Sequence, residues 1–150
     1  METRFKVLFV CTANTCRSAM AEYYFNSEMR KFGGKIEMAA DSCGLYANPG
    51  SPISPNAAKI LESENIACEG HKSKQADKKL IKANGFVYGM TARHAAALKG
   101  QFPEFAEKIF CMPQDIGDPY GGSLDDYGKC FEGIKESVDA IIDRMAEEAC

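Results

Sequence analysis

Residues 5–18 read Phe5-Lys-Val-Leu-Phe-Val-Cys-Thr-Ala-Asn-Thr-Cys-Arg-Ser18. The opening run, Phe5 to Val10, is short, apolar and partly β-branched, the pattern of a buried strand. From Ser18 to about Phe32, residues Met20, Tyr23, Tyr24 and Met29 fall on one helical face, with Ser18 as the expected N-cap and Gly33-Gly34 as the stop. A buried strand that passes through a short loop into a helix is the opening of a parallel α/β unit.

The rest of the chain repeats this alternation. Lys35 to Ala40, Phe86 to Met90 and Lys108 to Met112 read as further strands. Ser54-Pro55 starts a helix that runs to about Glu64, through an N-cap and a proline at the first helical position. Ser73 is the expected cap of a helix ending near Asn84-Gly85, and Thr91 caps another. The segments Gly44–Ser54 and Met112–Ser123 hold the prolines and glycines of long loops. Near the end, Leu124, Tyr127, Phe131, Ile134, Val138, Ile141 and Met145 recur at spacings of three and four, one apolar stripe on a helix that packs on a sheet. No repeat, low-complexity stretch or linker interrupts the pattern. The expected architecture is α/β: a single domain over residues 1–150 with a four-stranded parallel sheet and helices on both faces. In such sheets ligands bind beyond the carboxyl ends of the strands, so the loops there are searched for chemistry.

Composition narrows the function. The chain has 150 residues, 45% hydrophobic and 26% charged, with 18 basic against 21 acidic side chains and a net charge of −3. A weakly acidic chain without a basic run argues against nucleic acid or a membrane surface as partner. The longest apolar run near the start, Val7 to Cys11, is too short for a signal-peptide core or a membrane span, so a cytoplasmic location is expected. The 7 cysteines are an odd count without a secretion signal, which argues against a disulfide framework, and no two are spaced as C-x-x-C. Neither a metal nor a cofactor is expected. Most of these cysteines are expected to be small buried hydrophobes.

Cys11 is the exception. Successive backbone amides of the loop Thr12-Ala13-Asn14-Thr15-Cys16-Arg17-Ser18 can form an anion-binding concavity, and the helix that follows adds free N–H groups and the positive end of its dipole. Arg17 adds a planar bidentate donor suited to phosphate oxygens. A thiol at the base of such a site is favoured as thiolate and aims at phosphorus. Of the seven cysteines, Cys11 alone has an arginine six residues on.

On these residues the chain resembles the low-molecular-weight protein tyrosine phosphatases. The resemblance runs from Val7-Leu-Phe-Val-Cys-Thr-Ala-Asn-Thr-Cys-Arg-Ser through Met20-Ala-Glu, Asn48-Pro-Gly, Ser54-Pro-Asn-Ala, His71-Lys-Ser and Met90-Thr to Asp118-Pro-Tyr-Gly-Gly-Ser. It implies that Cys11 is the nucleophile, that Arg17 clamps the phosphoryl oxygens and that a phosphocysteine forms. Ser18 then steadies the thiolate, and Asn14, Ser18, Ser42 and His71 make the supporting hydrogen-bond network. Asparagine suits position 14 because it tolerates a left-handed backbone. Asp118 matches the general acid and base, with Asp115, Asp125 and Asp126 as nearby competitors. Tyr120 and Tyr46 are expected as opposite walls of the cleft. Cys16 matches a cysteine that can pair with the nucleophile on oxidation, a reversible protection against further oxidation. The implied substrate is a phosphorylated protein, the product inorganic phosphate, and the expected state a monomer.

Departures from the common pattern bear on substrate. Ala13 replaces a usual glycine, which costs about 1–2 kcal/mol if the position needs a positive φ. Ala19 replaces a usual proline, and Asn84-Gly85 stands where an acidic residue is common. Thr15 replaces isoleucine or leucine and is similar to the branch that removes phosphate from arginine side chains. A shorter polar wall accepts a guanidinium, whereas a bulkier apolar wall favours a phenyl ring. Phosphotyrosine is the first reading and phosphoarginine the alternative. An arsenate-reducing branch needs cysteines near the third strand, and residues 73–105 contain none. A non-catalytic phosphate-binding module is the reading from a different class, set against it by the presence of both Cys11 and Asp118.

Overall fold

Strand β1 (Phe5–Cys11) alternates its side chains between two apolar layers, and the whole fold follows from that alternation. Val7, Phe9 and Cys11 face one core, while Leu8 and Val10 face another. A strand buried on both faces must be central in its sheet, and β1 is. The computed structural model of the chain describes residues 5–31 and 37–149. Among them, β1, β2 (Met38–Gly44), β3 (Phe86–Gly89) and β4 (Ile109–Cys111) form one four-stranded sheet in the order β2-β1-β3-β4. Every pairing is parallel, with Val7 opposite Ala40 on one side and Phe86 on the other.

Helices cover both faces. Helix α1 (Arg17–Lys31), α2 (Pro55–Ser63) and α5 (Leu124–Ala149) pack on the Val7–Phe9 side. Their core joins Phe9 to Phe25 at 6.0 Å between ring centroids and Tyr24 to Phe131 at 5.7 Å, both edge-on. Helices α3 (Lys78–Ala83) and α4 (Ala92–Gln101) close the Leu8–Val10 side through Ile81, Ala95 and Leu98. The chain therefore leaves β1 toward one edge and returns to pair β3 on its other side. The loop after β1 sits at this reversal, where an α/β sheet opens a crevice.

Several elements differ from the sequence reading. The second strand runs on to Gly44, because Asp41 and Ser42 are held in the sheet by partners from elsewhere in the fold. The expected start of that strand, at Lys35, and the Gly33-Gly34 stop lie outside the described residues. Helix α3 is capped by Asp77, which accepts from Leu80 N at 2.8 Å; Ser73 instead donates to Asn48 O. The Ser54 hydroxyl makes no capping bond, although Pro55 does open α2. A 3-10 turn, Pro103–Lys108, precedes β4. The stripe of α5 is buried from Tyr127 to Met145, but Leu124 is exposed; the first turn is held by a capping box in which Ser123 and Asp126 exchange backbone-to-side-chain bonds.

Candidate active site

Cys11 ends the central strand and is 3% exposed. Its Sγ lies 2.9 Å from Ser18 Oγ and accepts from Asn14 N at 3.3 Å. Asn14 makes the turn that brings its amide back onto the sulfur, with φ of +62°. Ala13 lies outside the left-handed region, so the glycine-to-alanine departure carries no backbone strain. Asn14 is fully buried and its polar atoms are all paired. Its Nδ2 donates to Ser18 Oγ and Ser42 Oγ at 2.8 Å each, and its Oδ1 accepts from Lys74 N at 3.0 Å. The His71 Nε2–H donates to its carbonyl at 2.8 Å, and the Tyr23 hydroxyl lies 3.0 Å from His71 Nδ1.

Ser18 is inside the first turn of α1, because the helix begins one residue earlier at Arg17. Its hydroxyl does not cap the helix. With Asn14 donating to it, its own proton points at Cys11 Sγ or, at 3.3 Å, at Cys43 O. Gly44 lets β2 close against the loop: a Cβ there would fall 2.4 Å from Thr12 O. One further carboxylate joins the network. Ser42 donates to Glu22 Oε1 at 2.5 Å, and burial pushes the Glu22 carboxyl up to about 7. Glu22 lies in the quoted Met20-Ala-Glu motif, but nothing in a helical glutamate marks it as half-buried.

Arg17 is held from behind. Its Nη1 donates to Ile116 O at 2.9 Å, and its Nη2 lies 3.7 Å from Asp118 Oδ2. The arginine side chain is 7% exposed and the aspartate 54%, so the pair joins a buried cation to a solvent-facing acid. Asp118 also accepts from Tyr120 N at 3.0 Å, which fixes its turn. The competing aspartates are engaged elsewhere. Asp115 accepts from Ala92 N at the start of α4, Asp125 pairs with Lys129, and Asp126 serves the capping box that holds its carboxyl below the usual range.

These residues enclose a cleft of about 340 Å³ lined by the loop from Cys11 to Arg17, by Asp118 and by Tyr120. Tyr120 is 80% exposed at its mouth. Tyr46, 75% exposed, is joined to the loop by its backbone N–H, which donates to Thr12 O at 2.9 Å. Thr15 does line it, its hydroxyl 3.8 Å from Cys16 Sγ. Cys16 is buried beside it, donates to Ser54 Oγ at 3.3 Å and lies 3.4 Å from the Tyr127 hydroxyl, which burial and Cys16 push up to about 12. Cys11 and Cys16 are both free thiols in this structure. A second cleft, of about 330 Å³, lies between Phe110 on the edge strand and Arg144 on α5, and it presents aromatic carbon with no carboxylate in its lining. Among the described residues no group of three or more His, Cys, Asp or Glu converges on a metal position.

One neighbour of the loop has no counterpart in the sequence reading. His94, on α4, places its Nε2 3.0 Å from Thr12 Oγ1. The only advance signal is its position three residues after the capping threonine Thr91.

A buried thiol that accepts from a loop amide, with an anchored guanidinium and an exposed carboxylate on the same cleft, is an arrangement for phosphoryl transfer to sulfur. The model of the family described as low molecular weight phosphotyrosine protein phosphatase matches residues 6–149. The chain is 33% identical to a protein-arginine-phosphatase of Geobacillus stearothermophilus, covering 96% of this chain and 95% of that one. It is 30% identical to a protein-arginine-phosphatase of Bacillus subtilis, covering 95% and 97%. The crystal structure of a low molecular weight protein tyrosine phosphatase from T. tengcongensis superimposes with a TM-score of 0.88 at 36% identity, over 93% of this chain and 99% of that one. The chain is thus a cysteine-dependent phosphatase by fold and site. It belongs to the low molecular weight phosphotyrosine protein phosphatase family. Among its described residues no helix is long and apolar enough to cross a membrane.

Proposed function

We propose that this chain removes phosphoryl groups from protein side chains through a phosphocysteine on Cys11, with phosphotyrosine as substrate. The observation that supports this best is the convergence of the Cys11 thiol, Arg17 and Asp118 on one cleft. The Cys11 thiolate attacks phosphorus while the loop amides and Arg17 hold the equatorial oxygens. The bond from phosphorus to the leaving oxygen breaks as Asp118 donates a proton to it. Water then attacks the phosphocysteine, Asp118 takes its proton, and the sulfur leaves as a thiolate that accepts from Ser18 and from Asn14 N. Inorganic phosphate is released, and no cofactor or metal takes part. The working unit is a single catalytic domain over residues 1–150, acting as a cytoplasmic monomer.

Tyr120 at the mouth offers a ring for an aromatic substrate to stack on. A second reading, protein phosphoarginine as substrate, is favoured by Thr15 on the cleft wall, where a short polar side chain leaves room for a guanidinium. It is favoured too by the arginine phosphatases among the relatives. Turnover of phosphotyrosine and phosphoarginine peptides by the unmodified chain, Cys11→Ser and Thr15→Ile separates the two. Phosphotyrosine hydrolysis that Cys11→Ser abolishes is the expected result. A phosphoarginine preference that Thr15→Ile inverts establishes the second reading, and a folded chain that turns over neither substrate refutes both.

A further inference from the structure

The chain has 2 histidines, and both touch the phosphate loop. His71 holds the buried carbonyl of Asn14. His94 holds the side chain of Thr12, a residue that lines the cleft. The fold is arranged to bring it there. Gly89 ends β3, and a Cβ at that position would fall 2.5 Å from Ala95 N and 3.0 Å from His94 C, so only glycine lets α4 approach this closely.

His94 is bonded at both ring nitrogens. Thr91 Oγ1 accepts from His94 N at 3.2 Å and lies 2.8 Å from His94 Nδ1. In the tautomer with its proton on Nε2, the ring accepts from the Thr91 hydroxyl and donates to Thr12 Oγ1. In that tautomer the proton of the Thr12 hydroxyl is turned away from the ring. Burial first, then the Arg17 guanidinium and Arg93, hold the imidazole below its ordinary value, with Asp118 and Asp115 opposing.

We propose that His94 is a positioning residue that aims the Thr12 hydroxyl as a donor at the anionic group of the substrate. The chain Thr91 hydroxyl to His94 Nδ1, His94 Nε2–H to Thr12, and Thr12 hydroxyl to a phosphoryl oxygen adds a side-chain donor to the ring of loop amides. It rests on the phosphatase reading above only for which anion occupies the cleft. Because Thr12 meets the phosphoryl group in the bound substrate and in the transition state alike, its loss weakens binding and spares the chemical step.

The test uses the full chain with an aryl phosphate as substrate and, independently of turnover, inorganic phosphate as ligand. Thr12→Val and His94→Leu are each expected to raise KM and the phosphate Kd roughly tenfold, the scale of a hydrogen bond to a charged group, with kcat within about twofold. The double variant should be no worse than either single one, since both break the same chain. His94→Gln keeps an amide donor near the Nε2 position and should restore most of the affinity; it also covers the case in which the leucine variant fails to fold. Additive losses in the double variant overturn the proposal. So does a glutamine variant as weak as leucine, or a fall in kcat at unchanged KM, which marks a purely structural effect through α4. If the unmodified chain binds phosphate with this pattern of variants yet turns nothing over, the proposed function fails and this inference stands. If neither readout responds to Thr12 or His94, the inference fails by itself.

Discussion

The floor of the cleft and its rim are built on opposite rules. At the floor, Asn14 and Ser18 are fully buried and Cys11 nearly so, and the polar atoms of Asn14 are all paired. At the rim, Tyr120 and Asp118 face solvent and are held by backbone turns and one long ion pair. A buried polar group without its partner costs about 1–3 kcal/mol, so each floor residue is constrained by several others. A rim residue is constrained by almost nothing except what it must do to the substrate. The floor thus holds the nucleophile in place, and the rim carries groups that can change without loss of the fold.

The largest effect that sharpens this contrast is on the rim. Asp118→Asn should lower kcat by about 10²–10⁴-fold while leaving the melting temperature unchanged, and Asp125→Asn should do neither. Steady-state kinetics and thermal denaturation of the pair test this; equal loss in both variants refutes the role of Asp118. On the floor, one substitution should damage both properties. Asn14→Ala removes the bonds to Ser18 and Ser42 and places alanine at φ of +62°, a combined loss on the order of 3 kcal/mol of stability together with turnover. A variant that stays as stable as the parent in urea would break the distinction between floor and rim.

The smallest effect concerns pH. Glu22 is raised from 4.5 to about 7, so between these values the folded chain keeps a proton that the unfolded chain has released. Stability contributed by this group is therefore whole below 4.5 and falls as pH rises through 7, by about 3 kcal/mol in all. Glu22→Gln should remove that slope, read by urea denaturation at pH 5 and pH 8. An unchanged slope in the variant shows that Glu22 is not its source.

How much of this was legible in the sequence follows the same division. The strand Phe5–Cys11, the loop and the long final helix were readable because their apolar patterns are unbroken and local. The second strand was cut short at Ala40 because Asp41 and Ser42 look like turn formers; they stay in the strand because Lys74 pairs with Asp41, and Asn14 and Glu22 bind Ser42. Ser18 was expected as a cap, as local propensity dictates, but the thiol and Cys43 O claim its hydroxyl. His94 escaped notice because it acts across 82 positions of sequence, a contact that only the packing of α4 on β3 creates.

Gly44 and Gly89 end the two strands that flank β1, and each leaves out a methyl group that would collide with main chain. A side chain at either would act as a wedge, pushing the loop at residues 12–14 off β2 or lifting α4 off β3. The seating of the loop and of α4 on the sheet thus depends on two absences. Loss of activity in this chain can therefore arise at positions that touch no substrate and carry no chemistry at all.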